Sequence, residues 1–323
     1  MKTKLMSAAI TAALALSCAL HPAMAQNNRA TLTQSGAENL ASIEQMATSQ
    51  DAIATITQNG NGNIAGGTAS GDVGIMQMAS SAVEAAIAQT GNLNRAGIRQ
   101  DRLTLSSAML TQTGDNNVAT ARQELSNRAD IMARQEGSRN TAEFTQLNVS
   151  PTLVTTRQLG SDNLLTVKQE SSGYSAPVID QQGTANVATI SQYLDYNANP
   201  AIYQIGMRNE ATIVQNDARG TQNMTVTQTG MDNRAMVRNS GMMNSSLVTQ
   251  TGNGNAATVN KTLNYSESEI RQLGNLNTAT IAQTGSALAN AVPNVAMIMQ
   301  LGNGATASLA QSGSNNRATI VQH

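Results

Sequence analysis

Residues 112–123 read QTGDNNVATARQ, and residues 135–146 read QEGSRNTAEFTQ. Both stretches fit the pattern QxGxxNxAxxxQ, and the glutamines that open them are 23 positions apart. The complete pattern also begins at Gln34, Gln89, Gln181, Gln204, Gln272 and Gln311. Further copies beginning at Gln58, Gln158, Gln228, Gln250 and Gln300 each differ at one position, such as Ala69 in place of the closing Gln after Gln58. A disordered polar tract would not hold this spacing, so the chain is predicted to be a folded repeat.

Each repeat predicts two short β-strands. In the segment Asn209, Ala211, Ile213, Gln215 the shared residues are two positions apart, which places all four on one face of an extended chain. Thr, Ile and Val crowd these segments, as is typical of strands rather than helices. Between them lie GxxN turns, in which we expect Gly and Asn to accept a positive φ.

The predicted fold is therefore all-β: a β-solenoid of about 13 strand-turn-strand coils over residues 26–323, stacked like an amyloid cross-β structure at roughly 4.8 Å per coil. Ala facing Ile, Val or Leu would form a thin core between two sheets. Carboxamides at equivalent positions would hydrogen-bond from coil to coil as stacking ladders, because a buried amide is costly unless it is paired. The predicted ladder residues are Gln34, Asn39, Gln45, Gln89, Asn94, Gln100, Gln112, Asn117, Gln123, Gln135, Asn140, Gln146, Gln181, Asn186, Gln192, Gln204, Asn209, Gln215, Gln272, Asn277, Gln283, Gln311, Asn316 and Gln322.

Composition excludes several classes of function. The chain of 323 residues has two His, one Cys and a formal net charge of -1. His21 and His323 lie near the ends, so His-dependent catalysis and a His-based metal site are not expected. Neutral charge does not favour binding to nucleic acid. We expect no enzyme activity, no cofactor, no metal and no small-molecule substrate.

The first segment is typical of a secretory signal peptide over residues 1–25. Lys2 and Lys4 precede a run of apolar or small residues, and the sequence Ala23-Met24-Ala25 forms an AxA cleavage pattern. Cleavage between Ala25 and Gln26 is predicted. The strand pattern then starts at Asn28 and continues to Gln322, so we expect both ends of the stack to be open to end-to-end growth into a fibre.

A secreted chain of tandem QxGxxNxAxxxQ units resembles the curlin family, the subunits of curli, which are amyloid fibres of bacterial biofilm matrix. The resemblance implies an extracellular fibre subunit, major or minor (nucleator), that supports cell adhesion and biofilm formation. It also implies three kinds of partner: further copies of the chain and other curlin subunits, a secretion pore in the outer membrane, and periplasmic chaperones.

Two other classes remain open on the sequence. One is a soluble secreted solenoid that binds a ligand or surface, such as an ice-binding protein or an adhesin. The pairs Thr31/Thr33, Thr55/Thr57 and Thr225/Thr227 invite this interpretation, although Thr120/Arg122 and Thr280/Ala282 interrupt the array. The other is an enzyme on a parallel β-helix, which would need clustered acids or bases. Insertions at 66–81, 193–200 and 285–293 are expected to be surface loops.

Overall fold

The computed structural model describes residues 27–46, 48–66, 74–217, 219–285 and 293–323. The predicted signal peptide and its cleavage site at Ala25 and Gln26 lie outside the described residues, as do 67–73 and 286–292 within two of the predicted insertions. The described part is all β-strand and turn, with no helix. It therefore includes no helix long and apolar enough to cross a membrane.

The described residues form 28 strands. In chain order they are β1 (Arg29–Ser35), β2 (Leu40–Ala41), β3 (Ile43–Gln45), β4 (Ile53–Asn59), β5 (Ile64–Ala65), β6 (Ile75–Met78), β7 (Glu84–Thr90), β8 (Arg95–Asp101), β9 (Ser107–Asp115), β10 (Val118–Glu124), β11 (Ala129–Ser138), β12 (Thr141–Leu147), β13 (Thr152–Ser161), β14 (Leu164–Glu170), β15 (Val178–Thr184), β16 (Val187–Tyr193), β17 (Tyr196–Ala198), β18 (Ala201–Met207), β19 (Glu210–Asn216), β20 (Arg219–Met231), β21 (Arg234–Asn239), β22 (Ser245–Asn253), β23 (Ala256–Lys261), β24 (Ser266–Leu273), β25 (Thr278–Thr284), β26 (Asn294–Gln300), β27 (Thr306–Ser312) and β28 (Arg317–Gln322).

The strands stack into two parallel sheets, and the chain alternates between them. The first sheet runs in the order β1-β4-β7-β9-β11-β13-β15-β18-β20-β22-β24-β26-β28, and the second in the order β2-β5-β8-β10-β12-β14-β16-β19-β21-β23-β25-β27. Segments β3 and β6 extend the second sheet beside β2 and β5. Each coil therefore adds one strand to each sheet, and the prediction of an all-β solenoid is confirmed.

The core is the thin layer between the sheets. In the first coil Leu32 of the first sheet and Ala41 and Ile43 of the second sheet contribute to it, and the same positions in later coils hold small and branched side chains. Phe144, the single Phe, stacks between Ala121 and Val167 and is 1% exposed. Aliphatic side chains thus fill a layer too thin to need many rings, which explains the poverty of aromatic residues.

The insertion at 66–81 interrupts a strand rather than a turn. The expectation of a surface loop is wrong for residues 75–78, which form the buried strand β6. Strands β5 and β6 both pair with β8, so the second sheet resumes at Ile75 in the correct register. The insertion at 193–200 is a described turn that holds β17, which pairs with β20. On this edge the rings of Tyr174 and Tyr196 pack with their centroids 4.9 Å apart.

Candidate assembly site: carboxamide ladders and terminal faces

The glutamine that opens each repeat forms an unbroken column, here called the first-sheet Gln ladder. Its members are Gln34, Gln58, Gln89, Gln112, Gln135, Gln158, Gln181, Gln204, Gln228, Gln250, Gln272, Gln300 and Gln322. At every step Nε2 donates to Oε1 of the next coil over 2.7–2.9 Å. All these bonds point the same way, from the N-terminal toward the C-terminal coil.

From Gln58 onward, the second hydrogen of each ladder amide ties the two sheets together. Gln112 Nε2, for example, also donates to the carbonyl of Arg95 across the core at 2.9 Å. The carboxamide is thus fully occupied in a site that is 1% exposed. Buried amides satisfied in this way stabilise the stack and also fix its register, because a slip would leave them unpaired.

The closing glutamines form a similar column on the other strand, the second-sheet Gln ladder. Its members are Gln45, Gln77, Gln100, Gln123, Gln146, Gln169, Gln192, Gln215, Asn239, Lys261, Gln283 and Gln311. The sequence pattern puts Ala69 at the closing position of this repeat, and that assignment is wrong, because Gln77 occupies the column. The insertion moves the true closing residue downstream, and Gln77 donates to Gln100 at 2.9 Å.

This second ladder is interrupted at Asn239 and Lys261. Below the gap Gln215 Nε2 has no hydrogen-bond partner among the described residues, and above it the same holds for Gln283 Oε1. The shorter Asn239 turns aside to Gln222 and accepts from Asn244 Nδ2 at 2.6 Å. In an intact ladder the donor of Gln215 would bond to residue 239 and the acceptor of Gln283 to residue 261. The gap leaves both groups unpaired within the described part of the chain.

Lys261 places a buried amine at a position of the second-sheet Gln ladder that holds a carboxamide in the other coils. Its side chain is 1% exposed, and Nζ donates to the carbonyls of Ser245 and Ser266. Burial lowers the pKa of Lys261 from 10.5 to about 7, and the carboxylate of Glu267 opposes that shift. Carbonyl oxygens solvate an ammonium only partly, so the charged form is disfavoured here.

The asparagine of each GxxN turn forms the third column, the Asn ladder. It comprises Asn39, Asn63, Asn94, Asn117, Asn140, Asn163, Asn186, Asn209, Asn233, Asn255 and Asn277, and ends at Ala305. In this column each Nδ2 donates backwards to the preceding Oδ1 over 3.0–3.2 Å. These Asn residues do not take a positive φ themselves. The residue before them does, for instance Arg139 at 54° ahead of Asn140.

The glycine of the turn is required by stacking as well as by conformation. Gly137 has φ of 114°, and a Cβ built on it would lie 1.9 Å from the carbonyl oxygen of Gly160 in the next coil. No side chain fits in that space. The turns also carry charges that pair between coils. Arg139 donates from Nε and Nη2 to the two carboxylate oxygens of Asp162, each at 2.7 Å, and so holds the pKa of that carboxyl below its usual value.

The last repeat is displaced by half a coil from its expected position. The complete pattern from 311 makes Gln311 an opening glutamine and Gln322 a closing one, although the imperfect copy from Gln300 also closes at Gln311. In the structure Gln311 follows Gln283 in the second sheet and Gln322 follows Gln300 in the first sheet. The spacing from Gln300 to Gln311 and from Gln311 to Gln322 is equal, so the motif itself does not specify the sheet.

The two terminal faces of the described stack leave part of the core uncovered. Leu32, Ile43 and Ile320 are only partly buried, whereas the equivalent Ile56 and Ile298 in the adjoining first-sheet strands are 0% exposed. Gln34 is exposed, and Gln322 is half-buried. Each face thus shows a strand edge, an aliphatic row and unextended carboxamide ladders.

The described residues contain no group of three or more His, Cys, Asp or Glu side chains that could hold a metal ion. The threonine columns are broken too, since Thr57 stacks on Ala88. The polar feature that recurs in every described coil is the first-sheet Gln ladder.

Comparison with protein families identifies one part of the chain directly. The family described as curlin associated repeat matches residues 294–323, which contain β26, β27 and β28. The resemblance to the curlin family is confirmed at this segment, and the two Gln ladders that pass through it extend into the preceding coils. No curated protein matches the chain.

Proposed function

We propose that this chain is a structural subunit of an extracellular curli-type amyloid fibre and that it polymerises through the ends of its solenoid. The observation that carries the proposal is the pair of terminal faces, where strand edge, core and Gln ladders are all left open. Unpaired strand edges with in-register carboxamides act as templates for another chain. The curlin repeat at 294–323 supports the same function.

The remaining features belong to the same proposal. The signal-like residues 1–25 would direct export, and curlin resemblance suggests passage through an outer-membrane pore with periplasmic chaperones. Fibres on the cell surface would then serve adhesion and biofilm formation. We propose a structural and not a catalytic role, because the repeated polar groups are engaged in hydrogen bonds between coils.

Fibre formation is tested with residues 26–323 diluted out of denaturant. We expect thioflavin T binding, fibres in electron micrographs and a cross-β reflection at roughly 4.7–4.8 Å. A chain that stays a folded monomer at high concentration would contradict the proposal and favour the soluble binding solenoid.

The route of growth is tested by a matched pair of variants on β28. Ile320 faces the core and Thr319, beside it, faces solvent. Ile320→Lys places a charge where the next copy must bury an aliphatic row, so growth should slow at least tenfold. Thr319→Lys carries the same charge outward and should slow growth much less. Equal effects of the two substitutions would show that growth does not use this face.

A further inference from the structure

The two sheets of the described stack differ by one strand. The first sheet starts with β1 and ends with β28, whereas the second starts with β2 and ends with β27. The described solenoid therefore contains twelve full coils and one additional half-coil. Its two terminal faces are consequently stepped: the first sheet extends beyond the second at the C-terminal face.

Strands of the second sheet lie at heights between successive strands of the first. Gln123 Nε2, in the second sheet, donates to the carbonyl of Ser107 at 3.1 Å and to that of Ala129 at 2.6 Å. Ser107 and Ala129 begin successive first-sheet strands β9 and β11. The step at the end of the stack is therefore half of the spacing between coils, because the chain rises along the axis by the same amount in each strand.

A second copy can meet this stepped face in two ways. If the copy keeps the same orientation, β1 stacks on β28, and β2–β3 stay two strand spacings away from β27. One strand of the second sheet would then be missing at every junction, with unpaired backbone groups on both sides. If the copy is turned by half a revolution about the fibre axis, β1 fills the position next to β27 and β2–β3 continue from β28, with no strand missing.

We propose, on the basis of the proposed fibre, that successive copies of this chain are related by a half-turn about the fibre axis, so that each sheet of the fibre alternates between first-sheet and second-sheet strands from one copy to the next. The partner is a second copy of this chain, and the surfaces are the two terminal faces.

The side chains of the two faces match in this arrangement. The strands at the two faces share one inward order, an Ala, then an aliphatic residue, then Gln, so crossing from one sheet to the other keeps these columns intact. The pairs that would stack are Ala307 with Ala30, Leu309 with Leu32, Gln311 with Gln34, Ala318 with Ala41, Ile320 with Ile43, and Gln322 with Gln45.

The polarity of the Gln ladders fits the same contact. Nε2 donates toward the C-terminal coil throughout, so Gln311 and Gln322 present Nε2 at the C-terminal face. Gln34 and Gln45 present Oε1 at the N-terminal face, since their Nε2 atoms donate to Gln58 and Gln77. Donor therefore meets acceptor between unlike faces, and two like faces would oppose donor to donor or acceptor to acceptor.

The final turn favours the half-turn over the unrotated contact. Residues 313–316 return the chain from the second sheet to the first, yet they have the GxxN form, with φ of 89° at Gly313 and 60° at Asn315. A half-turn places the Asn39 turn of the next copy over this one, where Asn316 Oδ1 can accept the next bond of an Asn ladder. The unrotated contact places Asn39 over Ala305, which has no side-chain acceptor.

Disulfide trapping separates the two arrangements. Val321 precedes Gln322, just as Glu44 precedes Gln45 and Thr33 precedes Gln34, and all three side chains are exposed. In-register neighbours on adjacent parallel strands are about 4.8 Å apart, within the range for a disulfide. Residues 26–323 contain no native Cys, since Cys18 lies before them. The test pair is Val321→Cys with Glu44→Cys, and the matched control pair is Val321→Cys with Thr33→Cys.

Fibres of each pair are grown under reducing conditions, checked by electron microscopy, oxidised and analysed by denaturing gel. We expect covalent multimers from the Glu44 pair and at least tenfold less from the Thr33 pair. A second set, Thr319→Cys with Ser42→Cys against Thr319→Cys with Thr31→Cys, should give the same result if the first set assembles poorly.

The outcomes separate the two proposals. Equal or greater cross-linking through Thr33, or fibres in which neither pair cross-links, would overturn the half-turn and leave the fibre itself standing. Failure of the unsubstituted chain to form fibres would overturn the proposed function together with the half-turn.

Discussion

Lys261 gives a quantitative test of the ladders, because it replaces a Gln in the second-sheet column. In the change Lys261→Gln the new Nε2 would face Gln283 Oε1, the acceptor that the ladder leaves unpaired. The direction of donation is the one used at every other step. The substitution should therefore remove a buried amine and restore one ladder hydrogen bond.

The size of the effect follows from the pKa of Lys261. Because the pKa falls from 10.5 to about 7, the charged form of Lys261 is destabilised in the folded chain by about 5 kcal/mol relative to the unfolded chain. The restored hydrogen bond contributes about 1 kcal/mol more, and loss of the Nζ contacts with Ser245 and Ser266 removes a similar amount. At pH 7 and below, Lys261→Gln should stabilise the solenoid by several kcal/mol.

The pH dependence has a definite sign. Between pH 7 and 10.5 the unfolded chain holds a proton on Lys261 that the folded chain has lost, so the free energy of unfolding rises with pH. Below pH 7 both states are protonated and the full penalty applies. The advantage of Lys261→Gln should therefore be largest below pH 7 and shrink by about 5 kcal/mol as pH approaches and passes 10.5.

The assay is urea unfolding of dilute, freshly prepared protein, followed by circular dichroism from pH 6 to 10.5. The control is Lys168→Gln, since the Lys168 side chain is 56% exposed and pairs with Glu170 at the surface. That variant should keep the pH slope of the unsubstituted chain. If Lys261→Gln also keeps that slope, Lys261 is not buried as described and the reasoning fails.

Two pairs of substitutions, each a test with its control, examine the turn and the core. Gly137→Ala should destabilise the stack by several kcal/mol, because its Cβ would overlap the Gly160 carbonyl. The control Gly304→Ala, with φ of 67° and no atom within 4 Å of the added Cβ, should cost about 1 kcal/mol. Equal decreases in the urea midpoint of the two variants would show that stacking does not require the glycine. Phe144→Ala should cost about 3–5 kcal/mol by leaving a cavity between Ala121 and Val167. Leu153→Ala, at a side chain 42% exposed, should cost under about 1 kcal/mol in the same urea unfolding experiment. A Phe144 variant no less stable than this control would argue against a packed core.

The sequence by itself determined the class of fold and most of the ladder residues. Spacing of two within strands and 23 between repeats is a local signal, and the glycine of each GxxN turn can be recognised without knowing what it touches. It also set the chemical character of the stack, since about a fifth of the residues are carboxamides that must be paired if buried.

Only the tertiary structure decided which residues share a column. Gln77 joins the second-sheet ladder because β5 and β6 both align on β8, a contact that the insertion hides in the sequence. Burial of Lys261 could not be read from the sequence either, since it depends on the coils above and below it. Gln311 lies in the second sheet and Gln322 in the first because a GxxN turn, residues 313–316, also joins β27 to β28, so the motif does not show which sheet its strands belong to. Register and sheet are properties of the stack, set by hydrogen bonds between coils, and a single repeat does not contain them.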